Sequence, residues 1–153
     1  MIPFIRGILV LVHLLAAIAW FGGMWFAYFC LRPAAAETLD PPRRLPLWAA
    51  TFERFLRFVA IAVVVIVISG FTLLAETGFR MAPVGWLVMA TLGVVMTVVY
   101  FYVYLILFPR LRAHCLASAW PNAAIAMNDI RRLVAINLIL ALCTVVAAVF
   151  ARY

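Results

Sequence analysis

One histidine could do chemistry inside a membrane. His13 lies within a long apolar run and is the only Asp, Glu, Lys, Arg or His deep inside any such run. An ionisable side chain is costly in hydrocarbon and usually marks a function. An imidazole there could bind a metal or a haem iron, or relay protons. It could equally be a neutral core residue that forms a hydrogen bond with a neighbouring hydroxyl or carbonyl group.

A second ligand is expected at the same depth in the other apolar runs. At 1.5 Å per residue, His13 lies roughly 13 Å below Phe4. If successive runs alternate in direction, the residues within about one turn of that level are Ser69, Gly93, Met96, Ala141 and Thr144. An imidazole and a thioether form an axial pair for haem iron and also a soft site for Cu(I). The sequence therefore predicts a metal site of His13 and Met96.

Other candidate residues surround this pair. Arg6 precedes His13 on the same helical face, roughly 10 Å nearer the surface. It could bind haem propionates through charge-assisted hydrogen bonds, or be an interfacial arginine whose head group reaches water. Small, polar or aromatic residues could line a cofactor cavity or pack the helices together: Trp20, Ser69, Gly93, Asn137 and Thr144.

Four apolar runs must position these residues. Hydrophobic residues make up 70% of the sequence, and the runs cover about 4–31, 55–75, 84–108 and 133–151. Each can cross a hydrocarbon core of about 30 Å, which needs roughly 20 helical residues. The alternating pattern of a membrane β-barrel is absent. The prediction is an all-α, four-transmembrane-helix, up-down-up-down bundle, a single integral membrane domain over residues 1–153 with almost no folded material outside the bilayer.

Hydrophobic periodicity predicts which face of each helix is turned inward. At 100° per residue, the inward stripes are expected to contain Arg6, His13, Ala17, Trp20, Met24 and Leu31; Phe58, Ala62, Val65, Ser69 and Leu73; Trp86, Met89, Gly93, Met96, Tyr100 and Leu107; and Leu133, Asn137, Ala141, Thr144 and Ala148.

The connections and the charges predict a topology. A short turn, about 76–83, joins the second and third runs, and two connections of about 20 residues precede and follow that pair. The first long connection contains four prolines and is expected to be irregular. The second is expected along the headgroup surface. Eight or nine arginines lie in or beside these long connections and three on the other side. The arginine-rich loops should be cytoplasmic and both termini outside.

The net charge of +7 does not indicate nucleic-acid binding. All twelve basic residues are arginine, and most flank the apolar runs, where they determine topology or bind anionic lipid headgroups. The three cysteines are far apart and form neither a disulfide framework nor a CxxC motif.

Helix one resembles two known families. The stretch from His13 through Trp20, Gly22 and Gly23 to Met24 is similar to the opening helix of CopD-type proteins, which are associated with copper resistance. Residues 131–140 resemble their closing helix. The histidine, tryptophan and glycine spacing also resembles HemJ-type oxidases, four-helix proteins that bind haem b through that histidine. The Lys that HemJ-type proteins carry after Gly-Trp is missing, since the chain has no Lys.

These resemblances imply three alternative functions in a bacterial inner membrane. The first is a haem b protein with a redox or electron-transfer role, an oxidoreductase or a carrier, with iron on His13. The second is a copper-handling protein that uses His13, Met96 and Met89. The third is a structural or assembly subunit. The lipid bilayer is the expected partner, and a homodimer and a quinone or other membrane redox partner are open alternatives. Catalytic residues are not assigned.

Overall fold

The computed structural model describes residues 3–151, which form long helices and no strand. The helices are α1 (Pro3–Phe26), α2 (Arg32–Thr38), α3 (Pro41–Thr77), α4 (Val84–Tyr102), α5 (Phe108–Leu116) and α6 (Trp120–Phe150). A π-helical turn, Ala27–Leu31, joins α1 to α2 without a break, and another, Val103–Leu107, joins α4 to α5. The result is four continuous helical rods, each long and apolar enough to cross a membrane. The all-α, four-span prediction is confirmed.

The two long connections are helical, which corrects the expectation that the first one would be irregular. Only residues 39–40 separate α2 from α3, and only residues 117–119 separate α5 from α6. The prolines explain the error. Pro41 and Pro42 open α3, and proline is accepted in the first turn of a helix because the N–H group it lacks would have no partner inside the helix. Proline at these positions starts a helix.

The remaining connection is the short turn between α3 and α4, close to its predicted position. Residues 78–83 form it, and Gly78 adopts a φ of 82°, which favours glycine. The Gly78 N–H group bonds the carbonyls of Leu74 and Ala75 and so ends α3. The main helix contacts join α1 to α3 and α4 to α6.

Most predicted inward residues of α1, α4 and α6 are buried or half-buried. Trp20, Met24, Met96, Tyr100 and Asn137 are buried. On α3 the prediction is partly wrong, as the next paragraph describes, although Ala62 and Ser69 are buried as expected.

Phe58 of α3 was predicted to face inward but is 54% exposed. Leu56, Val59 and Val63 take the inward face of that helix. The reason is that α3 packs on α5 and α6 as well as on α1, which turns its inner face toward all three helices.

The most tightly packed core lies at the arginine-rich end of the bundle (residues 32–57 and 108–132). The side chains of Leu111, Ala123 and Ile130 are 0% exposed there, and Met127 is 1% exposed. Trp48 and Phe52 pack together at a ring-centroid distance of 5.3 Å. The helices therefore build a packed core beyond the predicted apolar runs, which corrects the expectation of almost no folded material there.

Candidate functional site

His13 packs against α3 at the level of Ser69. Its Nδ1 atom lies 2.9 Å from the Ser69 Oγ atom, and the Ser69 hydroxyl is bonded to the carbonyl oxygen of Val65. The sequence analysis placed Ser69 at this depth, and the two helices meet there. A hydroxyl group back-bonded to its own helix can still accept a hydrogen bond from another helix.

The hydrogen bonds determine which nitrogen of His13 carries the proton. A serine hydroxyl has one hydrogen, and here the Val65 carbonyl takes it. Nδ1 of His13 is then the donor to Ser69 Oγ. In the neutral imidazole the lone pair is consequently on Nε2. A metal-binding histidine has this arrangement, in which one nitrogen is fixed by an outer hydrogen bond and the other is free to coordinate.

Gly70 makes the close approach of α1 possible. A Cβ atom at this position would lie 3.0 Å from Cε1 and 3.5 Å from Nδ1 of His13. Glycine therefore leaves the space that the imidazole edge occupies. Gly70 was not predicted as a site residue. The sequence of an apolar helix does not show which neighbouring side chain a glycine in it accommodates.

Arg6 lies above this contact and is near a carboxylate. Its Nε atom is 3.9 Å from Oε2 of Glu76, at the end of α3. The side chain is 49% exposed. Arg6 therefore pairs α1 with α3 a second time, on the same side as His13 and Ser69.

Met96, Asn137 and Thr144 form a second polar group, between α4 and α6. The Asn137 amide donates to the Met96 carbonyl at 3.3 Å, and the Thr144 hydroxyl lies 4.0 Å from the Met96 sulfur. The Asn137 Oδ1 atom is buried and has no hydrogen-bond partner in the described structure. Gly93 lies one turn away on α4, and a Cβ atom there would meet nothing within 4 Å. The glycine borders open space.

The structure places His13 and Met96 in different helix interfaces. His13 contacts α3, whereas Met96 contacts α6, and these are the two main pairings of the bundle. Among residues 3–151 no three His, Cys, Asp or Glu side chains gather to hold a metal ion. Coordination of one ion by His13 and Met96 stays a prediction.

Trp20 lies nearer the middle of the bundle and lines a cavity. Its ring meets Tyr100 edge-on at a centroid distance of 6.0 Å, and the Tyr100 hydroxyl donates to the Leu56 carbonyl at 2.7 Å. The small, open cavity beside them is also lined by Met24 and Asn137.

The surroundings of His13 do not fit a haem within one chain. The ring edge is held against Gly70 in the α1–α3 contact, and His13 lines neither of the two cavities described for this structure. Arg6, the expected propionate partner, is paired with Glu76.

The chain matches one known protein family. Residues 49–151 match the sequence model of CopD, copper resistance protein D, which is more than half of the 153-residue chain. No curated protein and no solved structure matches. The HemJ-type resemblance of helix one receives no support from these comparisons.

The matched segment includes Ser69, Met96, Asn137 and the resemblance in residues 131–140, and it begins after α1, so His13 lies outside it. The match and the four membrane-spanning helices point to one assignment. This multi-pass membrane protein belongs to the CopD family.

Proposed function

We propose that this chain handles copper in a bacterial inner membrane, with Cu(I) as its cargo. The family match carries the proposal. The arginine-rich end would face the cytoplasm, as expected from the excess of arginine there. Copper resistance requires a route by which the ion crosses or leaves the membrane, and a route needs donors inside the bundle.

His13 is the proposed first donor. Its Nδ1 atom is engaged by Ser69, which supports an Nε2 lone pair available to a soft cation. With few donors at this level, binding would be weak enough for release, a condition for conduction. Met96, on the neighbouring α4–α6 pair, is the proposed second donor, reached after a movement of the helices or supplied by a second copy.

Growth of a deletion strain in copper tests this proposal. The wild-type gene should restore growth, whereas His13→Ala and Ser69→Ala should restore less of it. His114→Ala is the matched control, because His114 is the only other histidine and lies at the arginine-rich end. Equal growth of the deletion strain and the complemented strain would overturn the proposal.

Direct binding provides a second test. Purified protein should withdraw Cu(I) from a chromophoric chelator, and His13→Ala should weaken this more than Met96→Leu. Met81→Leu is the control, since Met81 is 81% exposed. A Soret band in the purified protein would instead support the haem hypothesis.

A further inference from the structure

Three arginines converge at the arginine-rich end. They come from different helices: Arg32 from α2, Arg44 from α3 and Arg131 from α6. Arg32 and Arg44 are near enough to repel the charge of Arg131. The ion pairs described at this end instead join Arg57 and Arg112 to Glu53. Three like charges held together on separate helices destabilise the bundle unless an anion lies between them.

Arg131 has an unsatisfied donor. Its Nε atom is buried and has no hydrogen-bond partner within residues 3–151. Leaving a buried charged donor without a partner is unfavourable. A ligand with an acceptor oxygen would remove that cost.

A small cavity, open at its mouth, lies beside these groups. Arg32 and Arg131 line it together with Tyr28, Trp48 and Phe52. Arg32 is held over the Tyr28 ring at 5.0 Å. The site thus combines guanidinium groups with apolar and aromatic walls, which suits a ligand with an anionic head and a hydrocarbon body.

The position along the membrane normal identifies the anion. Arg32 directly follows the first apolar run, and Arg131 comes just before the last one. Both therefore lie at the membrane surface, at the depth of phospholipid phosphates. Guanidinium groups bind phosphate oxygens in a bidentate manner.

We propose that Arg32 and Arg131, which line this cavity, bind a phosphate group there, supplied by the headgroup of an anionic phospholipid. The lipid tail lies against the aromatic wall. The site is separate from His13 and Ser69, and it holds α2, α3 and α6 together without taking part in copper binding.

Native mass spectrometry and thermal unfolding of the delipidated full chain test this proposal. The probes are phosphatidylglycerol, phosphatidylcholine and inorganic phosphate. Phosphatidylglycerol should bind and raise the unfolding temperature. Arg131→Gln and Arg32→Gln should each weaken binding by roughly tenfold or more, as expected for loss of a charge-assisted hydrogen bond. Arg132→Gln, at the exposed neighbouring position, should bind like the wild type.

The three probes separate the sources of phosphate. Stabilisation by inorganic phosphate equal to that by phosphatidylglycerol, lost in Arg131→Gln, would identify free phosphate as the ligand of the same site. If Arg131→Gln does not fold, the binding of phosphatidylglycerol to Arg32→Gln tests the proposal. Phosphatidylglycerol binding that is the same in the wild type, Arg32→Gln and Arg132→Gln overturns the proposal.

Discussion

The arginine-rich end and the histidine half (the part of the bundle that contains His13, Ser69, Met96 and Thr144) are packed differently. At the arginine-rich end large side chains such as Leu111 and Ile130 are completely buried. In the histidine half, α1 has no buried residue before Trp20 within the described chain. There the contact of α1 with α3 includes the His13–Ser69 hydrogen bond and the close approach of the His13 ring to Gly70.

This difference indicates that the two regions of the bundle have different roles. Close packing of large apolar side chains gives stability and a single arrangement. A region with fewer fully buried side chains opens at lower free energy, and mobile functional elements are drawn from such regions. We expect substitutions at the arginine-rich end to change mainly stability, and those in the histidine half to change mainly copper handling.

The largest expected effect is at Leu111. Leu111→Ala leaves a cavity in the tightest part of the core and should lower the free energy of unfolding by about 2–5 kcal/mol. Leu105→Ala is the control, because Leu105 is 61% exposed on the same rod. Unfolding in mixed micelles measures both. Equal losses would show that the arginine-rich end does not carry the stability.

Gly70 comes second. Gly70→Ala places a methyl group against the His13 ring, whereas Gly93→Ala meets open space and has the same effect on helix propensity. Gly70→Ala should therefore be less stable than Gly93→Ala by about 1–3 kcal/mol, the usual cost of overpacking. It should also reduce copper tolerance. If the two variants are indistinguishable in both measurements, the α1–α3 contact is looser than described.

The hydrogen bond between His13 and Ser69 should contribute less to the free energy of unfolding. Ser69→Ala removes the acceptor of His13 Nδ1 and should cost about 0.6–1.7 kcal/mol, the range for hydrogen bonds between membrane helices. Thr72→Ala is the control, because the Thr72 hydroxyl is exposed and bonds the Ile68 carbonyl of its own helix. A loss of copper tolerance in the control and not in Ser69→Ala would contradict the proposed role.

The smallest effect is expected at Asn137. Its Oδ1 atom is unpaired and its amide makes one long bond, so Asn137→Leu removes an unsatisfied polar atom at little loss. The free energy of unfolding should change by less than about 0.5 kcal/mol or rise. Thr144→Val tests the neighbouring contact with Met96 in the same way. A large destabilisation by Asn137→Leu would show that the polar group of α4 and α6 is a structural element of the histidine half.

The spans and the depth of His13 could be predicted from the sequence. Both follow from helix length and from the rise per residue, which do not depend on side-chain packing. The prediction that Ser69 lies at the level of His13 has the same origin. Depth alone does not state which helices touch, so the sequence did not indicate that Met96 faces α6 while His13 faces α3.

Other features depended on packing and were missed. The prolines at 41 and 42 are equally compatible with a loop and with the start of a helix, and only the contacts of Leu45 and Trp48 with the core decide between them. Periodicity predicted that Phe58 faces inward, whereas the packing of α3 on its neighbours leaves this side chain exposed. To predict the pairing of Arg6 with Glu76, the relative heights of two helix ends must be known. The boundaries of the apolar runs do not determine these heights closely enough.

The length of α3 has a mechanical consequence. This helix runs unbroken from Pro41 to Thr77, roughly 55 Å at 1.5 Å per residue, well beyond the hydrocarbon thickness. It touches the imidazole near one extremity and carries Trp48 near the other. A slight tilt of α3 about its midpoint would move its two ends in opposite directions. Fluorescence of Trp48 would then report whether copper arrives at His13.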